Sequence, residues 1–436
     1  MPRLCASRQD ARLWRGQVTA RGFDMFKRSW KSAFLVVALT AVFAAGAALQ
    51  TARAEGKDEK VGQAVGKRLQ EAMKLAGERK LPEAVSKAKE ALAQAKTPFE
   101  NFKANEVLAY IEIKSNDAQG ALRAYEEIID SPYLDPAARS QNTKAMTQLY
   151  FQARNYPKTI EFGQRVLKSS PGDVDFIVLV GQAYFLQKDC ASATRYMNQA
   201  IDASQAAGRA PKENFYLIKY QCAADTKNTA AQIETLQSLA AHFPKKEYWS
   251  SLLTLTGKDQ PDRVTQHFLR LKYETDTLNS VQEFTDMAQL AIQFGYPGEA
   301  QAVLERGFSS KVLEKDPAAA EKNHRLLESA KKDAEADRKT LPLQDKEDAK
   351  QKTGEADVKL GYAYLTYGDS TNAIAALERG IAKGGVKSPA ESQIFLGMAY
   401  LKAKRADEAK KAFRSVKDDQ LFGQVAKLWL IRADQT

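Results

Sequence analysis

Histidine and cysteine are scarce, with three of each in 436 residues. Metal centres and nucleophilic sites need such side chains in clusters, and none of His242, His267 and His324 has a second histidine at helical ligand spacing. HExxH, CxxC and GxSxG are all missing. "GQAVGKR" (62 to 68) fails as a phosphate loop, because its glycines stand one residue too close and Arg68 follows the lysine where a magnesium-binding hydroxyl is needed. "DVD" (173 to 175) lacks the further oxygens and the glycine of a calcium loop, and helix capping explains its first aspartate better. Paired carboxylates such as Glu126 and Glu127 are common on solvated helices and carry no specific signal. No catalytic, cofactor-binding or metal-binding residue is therefore nominated. Alternating β-branched segments are also rare, while Ala, Leu, Lys, Glu and Gln dominate, so the expected fold class is all-α.

The one long apolar run is near the start. "MFKRSWK" (25 to 31), "SAFLVVALTAVFAAGAAL" (32 to 49) and "TARA" (51 to 54) form the basic, apolar and small-residue regions of a secretory signal peptide. Cleavage is expected between Ala54 and Glu55, with an uncleaved anchor as the alternative. The 24 residues ahead of Met25, with five arginines, are long and basic for such a leader and point to a true start at Met25. Without a twin-arginine pair or a cysteine at the cleavage point, the expected destination is the periplasm, as a soluble product with no membrane insertion. Residues 1 to 54 carry +7 of the formal +11, leaving +4, so the basic balance gives no reason to expect a nucleic-acid partner.

The mature chain exceeds what one rounded core supports, so it must divide into domains or stack. "LVGQAYFLQKDCASA" (179 to 193) returns 180 positions later as "KLGYAYLTYGDSTNA" (359 to 373). Small residues recur with a step of 12: Gly181 and Ala193, Gly361 and Ala373, Gly397 and Ala409, Ala72 and Ala84, Ala109 and Ala121, Ala288 and Ala300. Thr147 to Gly181 is 34 residues and Gly361 to Gly397 is 36. Tyr150, Tyr184, Tyr364 and Tyr400 each stand three residues beyond such an anchor, and Pro171 closes its unit. On these features, residues 63 to 430 resemble the tetratricopeptide repeat family. The expectation is an α-solenoid of about eight helix pairs, each crossing its partner at the small residues. Thr147 and Thr159 depart from the pattern, and 215 to 244 aligns poorly with it.

The expected organisation is a first solenoid over 55 to 312, a connector over 313 to 356, and a C-terminal repeat pair with a capping helix over 357 to 436. Both charge signs fill the connector, and Leu341-Pro342 is expected to break it into solvated helices; a docking arm is the alternative. Cys190 and Cys222 fall at one edge of adjacent units in a stack of this kind, which implies a disulfide between repeats, with two buried thiols as the alternative.

In the family, positions one and four beyond the anchor line a concave groove. The resemblance carries this over to Tyr110 and Ile113, Gln148 and Phe151, Gln182 and Phe185, Tyr362 and Leu365, and Met398 and Leu401. As a set they suit an extended peptide or a helix; singly, each is expected to pack the interior of the coil. Tyr248 and Trp249 read as core, with a partner anchor as the alternative. "MAQLAIQFGYPGEAQAVLERG" (287 to 307) and "LGYAYLTYGDSTNAIAALERGIAKGG" (360 to 385) resemble secreted repeat proteins of Gram-negative bacteria. The functional expectation is a non-enzymatic periplasmic scaffold without cofactors, binding peptide or helical segments of envelope proteins. The alternatives are a polysaccharide-export or cell-wall-associated subunit, and an enzyme with a dispersed site.

Overall fold

The computed structural model describes residues 59 to 436; the signal peptide and the Met25 start lie outside the described residues. Twenty α-helices and one 3-10 turn are described, with no strand among them. Eight first-half helices pair as α1 (Gln63–Gly77) with α2 (Leu81–Gln94), α3 (Pro98–Lys114) with α4 (Ala118–Ile128), α5 (Pro136–Gln152) with α6 (Tyr156–Ser169), and α7 (Val174–Leu186) with α8 (Cys190–Ala206). There follow α9 (Glu213–Asp225) and α10 (Thr229–His242), α11 (Lys246–Thr256) and α12 (Asp262–Glu274), and α13 (Val281–Gln293) and α14 (Pro297–Ser309). After the 3-10 turn (Leu313–Lys315) come α15 (Pro317–Asp348), the pairs α16 (Glu355–Thr366) with α17 (Ser370–Lys383) and α18 (Pro389–Lys402) with α19 (Ala406–Arg414), and the terminal α20 (Gly423–Ala433). The helix pairs thus number nine among the described residues, where the sequence suggested about eight.

Two compact units divide within α9, at Ile218 and Lys219. The expected solenoid-connector-solenoid boundaries at 313 and 357 both fall inside the second unit. In the first unit each helix packs on the next, and the leading helices of successive pairs also touch, α1 with α3 and α5 with α7.

The small-residue anchors are the crossing points. A Cβ on Gly181 would lie 2.3 Å from Met197 Cε and 2.9 Å from Tyr196 Cβ, and one on Gly397 would lie 2.4 Å from Phe413 Cε1. Ala193 and Ala409, twelve residues on, are fully buried. Thr147 and Thr159 are tolerated at such points because their hydroxyls donate to the carbonyls of Thr143 (2.7 Å) and Asn155 (2.9 Å) in their own helices. Close crossings let large neighbours such as Phe413 and Met197 bury completely, each contributing about 1.5 to 3 kcal/mol relative to exposure.

The turns within pairs repeat as well. Seven residues past the anchor the backbone is left-handed at Arg79, Asn116, Arg154, Lys188, Gly295, Gly368 and Lys404. The next residue often caps the second helix: Asp117, Asn155, Asp189 and Asp369 each accept from a backbone N–H three residues on.

In the second unit, α15 runs unbroken through Pro342 for 32 residues, against the break expected at Leu341-Pro342. Pro342 is exposed, so water can take the backbone carbonyl that its ring leaves without a donor. The inner edge of α15, Asn323, Leu327, Ala330, Ala334 and Leu341, is buried at spacings of three, four and seven, and the helix packs on α14 and α16. At the far end, α20 returns to pack on α10 and α12. The unit therefore closes on itself.

Cys190 belongs to the first unit and Cys222 to the second, and the bridge implied by the repeat placement stays an expectation. Cys190 opens α8 half-buried, and Cys222 on α9 is 2% exposed.

Candidate functional site

The residues nominated for the groove separate by unit. In the first unit Tyr110 and Ile113 on α3, Gln148 and Phe151 on α5, and Gln182 and Phe185 on α7 are all half-buried, on the layer where leading helices meet. Tyr110 and Ile113 rest on the core, and the Lys114 ammonium sits 4.7 Å from the Tyr110 ring centre. Phe151 meets Tyr156 edge-on with ring centres 6.0 Å apart. At the same offset beyond Ala72, one turn of repeat earlier, Met73 is 40% exposed, an uncommon placement for a large apolar side chain.

In the second unit the equivalent positions are mostly sealed: Tyr362, Leu365 and Met398 are buried, and only Leu401 is half-buried. Tyr248 and Trp249 are also core residues. Tyr362 joins a dry, charged cluster built on α12. One stripe of that helix is apolar (Val264, Phe268, Leu271), but Gln266, His267 and Arg270 also point inward and are at most 3% exposed.

Arg270 grips Glu299 of α14 with two prongs, Nε to Oε1 at 2.7 Å and Nη2 to Oε2 at 2.8 Å. The Tyr362 hydroxyl donates to Glu299 Oε1 at 2.9 Å, and Gln266 Nε2 donates to Oε2 at 3.1 Å and to the Met287 carbonyl at 3.2 Å. The guanidinium also lies over aromatic rings, 4.4 Å from the centre of Tyr362 and 5.3 Å from that of Phe395. Burial opposes charge on both partners, but the attraction between them outweighs it, so Arg270 rises and Glu299 falls from their ordinary pKa values. Burial, foremost, pushes the Tyr362 phenol well up, so it stays a donor.

His267 sits beside this pair, its Nε2 3.2 Å from Glu391 Oε1 on α18 and 3.4 Å from Arg270 Nη1. Arg263 donates to the other Glu391 oxygen at 2.5 Å. Phe395 and Phe422 flank the imidazole with ring centres 5.3 and 5.6 Å away. Complete burial lowers the His267 pKa below its ordinary 6.5, more than the Glu391 hydrogen bond raises it.

No repeat offset leads to this cluster, because none of the twelve-residue steps found in the sequence falls on α12. The signal was present: polar side chains at 266 and 270, one helical turn apart, interrupt the apolar stripe of "RVTQHFLRL". Among the described residues no three His, Cys, Asp or Glu side chains gather as ligands for a metal ion. No helix among them is long and apolar enough to cross a membrane.

A family model described as Tetratricopeptide repeat matches residues 390–417, the pair α18 and α19. The comparison with curated proteins gives no match. Among solved structures, the chain is similar to a tetratricopeptide repeat protein from Parabacteroides merdae, at 11% identity over 86% of this chain and 100% of the other, with a TM-score of 0.30. It is similar to the P58(IPK) TPR domain at 13% identity over 85% and 97%, with a TM-score of 0.21. A third similarity, to a structure of Naa15/Naa10 bound to HypK-THB, covers 82% of this chain and 59% of that one at 13% identity, with a TM-score of 0.32. The family model fixes the repeat at its matched residues, and the pairing elsewhere stands on the helix packing described above. The chain carries a tetratricopeptide repeat at residues 390–417, within an all-helical structure of successive packed pairs.

Proposed function

We propose that this chain is a non-enzymatic interaction scaffold of the periplasm, holding an extended or helical segment of an envelope protein on the leading helices of its first unit. The observation that carries the reading is the contrast between the units. Tyr110, Ile113, Gln148, Phe151, Gln182 and Phe185 stay half-buried on three consecutive leading helices, whereas Tyr362 and Met398 at the same offsets are consumed by internal packing. Rigid aromatic side chains supply contact area and amides supply hydrogen bonds, the combination that marks protein-binding surfaces. Helix-pair repeats expose such a layer because each pair spends its other faces on its neighbours. The periplasmic part of the reading rests on the basic, apolar and small-residue pattern of residues 25 to 54.

A photo-crosslinking side chain placed at Gln148 or Gln182 in cells, followed by mass spectrometry, tests the binding surface. The expected product is one envelope protein recovered from both positions and lost on Phe151→Ala. Recovery of glycan instead would transfer the reading to polysaccharide export or the cell wall. Fractionation with mass measurement of the mature N-terminus tests the compartment, with Glu55 as the expected first residue.

A further inference from the structure

The closing seam of the second unit is polar and centres on one imidazole. His267 on α12 meets Glu391 on α18, Lys402 Nζ of α18 meets Glu274 Oε1 at 2.8 Å, and Gln435 beyond α20 donates to the Ala240 carbonyl of α10 at 2.5 Å. These links join residues 124 to 195 positions apart, so they, with the packing of α20 on α10 and α12, hold the closed form.

We propose that the second unit is a proton-operated latch, in which a proton taken up at the His267–Glu391 contact releases α18 and α20 from α12 and α10. The hydrogen-bond geometry assigns the neutral form of His267. Its Nδ1 is buried with no partner, and Nε2 faces a carboxylate oxygen, so Nε2 carries the hydrogen and donates it. A second proton must go to Nδ1, where no acceptor receives it. The charges around the ring already balance. Arg270 on the same helix and Arg263 one turn before His267 supply two positive charges; Glu299 from α14 and Glu391 from α18 supply two negative ones; Tyr362 of α16 is neutral. Phe422, at the entry to α20, faces the ring with no charge. A proton on the imidazole, or on Glu391 in its place, leaves the cluster, which the exposed Arg263 guanidinium joins from its rim, with one net positive charge. The open form exposes the ring to water and removes that penalty.

The sign follows from linkage. A folded-state pKa below the ordinary 6.5 means that the closed form takes up the proton less readily, so closure is fully favoured above pH 6.5 and weakens as pH falls toward the folded value. One proton changes the opening equilibrium by at most about tenfold per pH unit in that window.

Hydrogen exchange on the full chain between pH 7.5 and 5.0, normalised for the intrinsic chemical rate, reads the opening. Segments of α10, α18 and α20 are expected to lose protection below pH 6.5 while α1 to α7 keep theirs. His267→Gln retains an N–H for Glu391 and cannot titrate, so its exchange is expected to be flat with pH. An undiminished acid response in His267→Gln, or an acid loss spread evenly over all helices, would overturn the latch. If that variant does not fold, imidazole NMR of the native chain decides: the His267 midpoint must lie below the ordinary 6.5 and track the opening, and a midpoint at or above 6.5 refutes the proposal.

Discussion

Arg270 and Glu299 meet side-on through two hydrogen bonds, each residue at most 7% exposed, with the ring of Tyr362 beneath the guanidinium and its hydroxyl on the carboxylate. Such a pair contributes modest net stability when intact and is costly when halved, since each ion has given up its water. Arg270→Met is expected to cost about 3 to 5 kcal/mol by leaving the Glu299 charge buried with only the neutral donors Tyr362 and Gln266. Adding Glu299→Gln should recover a substantial part of that loss. A double-mutant cycle by denaturant unfolding measures the coupling, and strictly additive losses would contradict the arrangement.

Glycines at crossing points and elsewhere should respond with opposite signs. A Cβ on Gly397 collides with Phe413, which is fully buried and stacked on Trp429, so the ring has nowhere to go. Gly397→Ala is expected to destabilise by about 1 to 3 kcal/mol. Gly66, inside α1, has only Val61 at 3.7 Å, an ordinary contact. Gly66→Ala should stabilise by about 0.5 to 1 kcal/mol through the backbone entropy that glycine loses on folding. Thermal melts of the two variants read the opposite shifts.

Lys188 holds a left-handed backbone at φ 65°, the place that Gly368 fills at φ 80° in the matching phrase. A side chain there costs about 1 to 2 kcal/mol, part of which glycine gives back as unfolded-state freedom. Lys188→Gly is therefore expected to gain about 0.5 to 1 kcal/mol, measurable as a higher denaturant midpoint with an unchanged slope. The same substitution at exposed Lys417, which lies outside these turns, should bring no gain.

Glu112 is buried at the α3 to α4 crossing, with Lys89 Nζ 3.7 Å away. Burial, then the nearby Asp117, raises its pKa. An acid whose folded pKa is raised binds its proton more tightly in the folded state, so it weakens stability as pH climbs from 4.5 through the folded value. Glu112→Gln should consequently melt higher than the native chain at pH 7, with the difference shrinking as pH falls toward 4.5. A constant difference across that range would refute the assignment.

Much of the helical framework was legible because it is local. The twelve-residue step from Gly181 to Ala193 encodes the end of one helix, the turn and the start of the next, and the structure places those residues at a crossing with Met197. The aspartates at 189 and 369 were visible in the repeated phrase and cap their helices. The candidate surface was legible only as offsets. The sequence assigned Tyr110 and Tyr362 the same role, and nothing in either repeat distinguishes a half-buried tyrosine from one hydrogen-bonded to a buried glutamate 63 residues away.

The sequence by itself determined the all-helical class, the pairing of neighbours and the small residues at which they cross, because nearest-neighbour packing is written in a period shorter than one repeat. Only the tertiary structure decided that the second unit closes, that α20 lies on α10 and α12, and that His267 faces Glu391 across 124 positions. The physical reason is that small rotations between successive pairs add along the chain, and their sum, which no local pattern records, sets which distant residues meet.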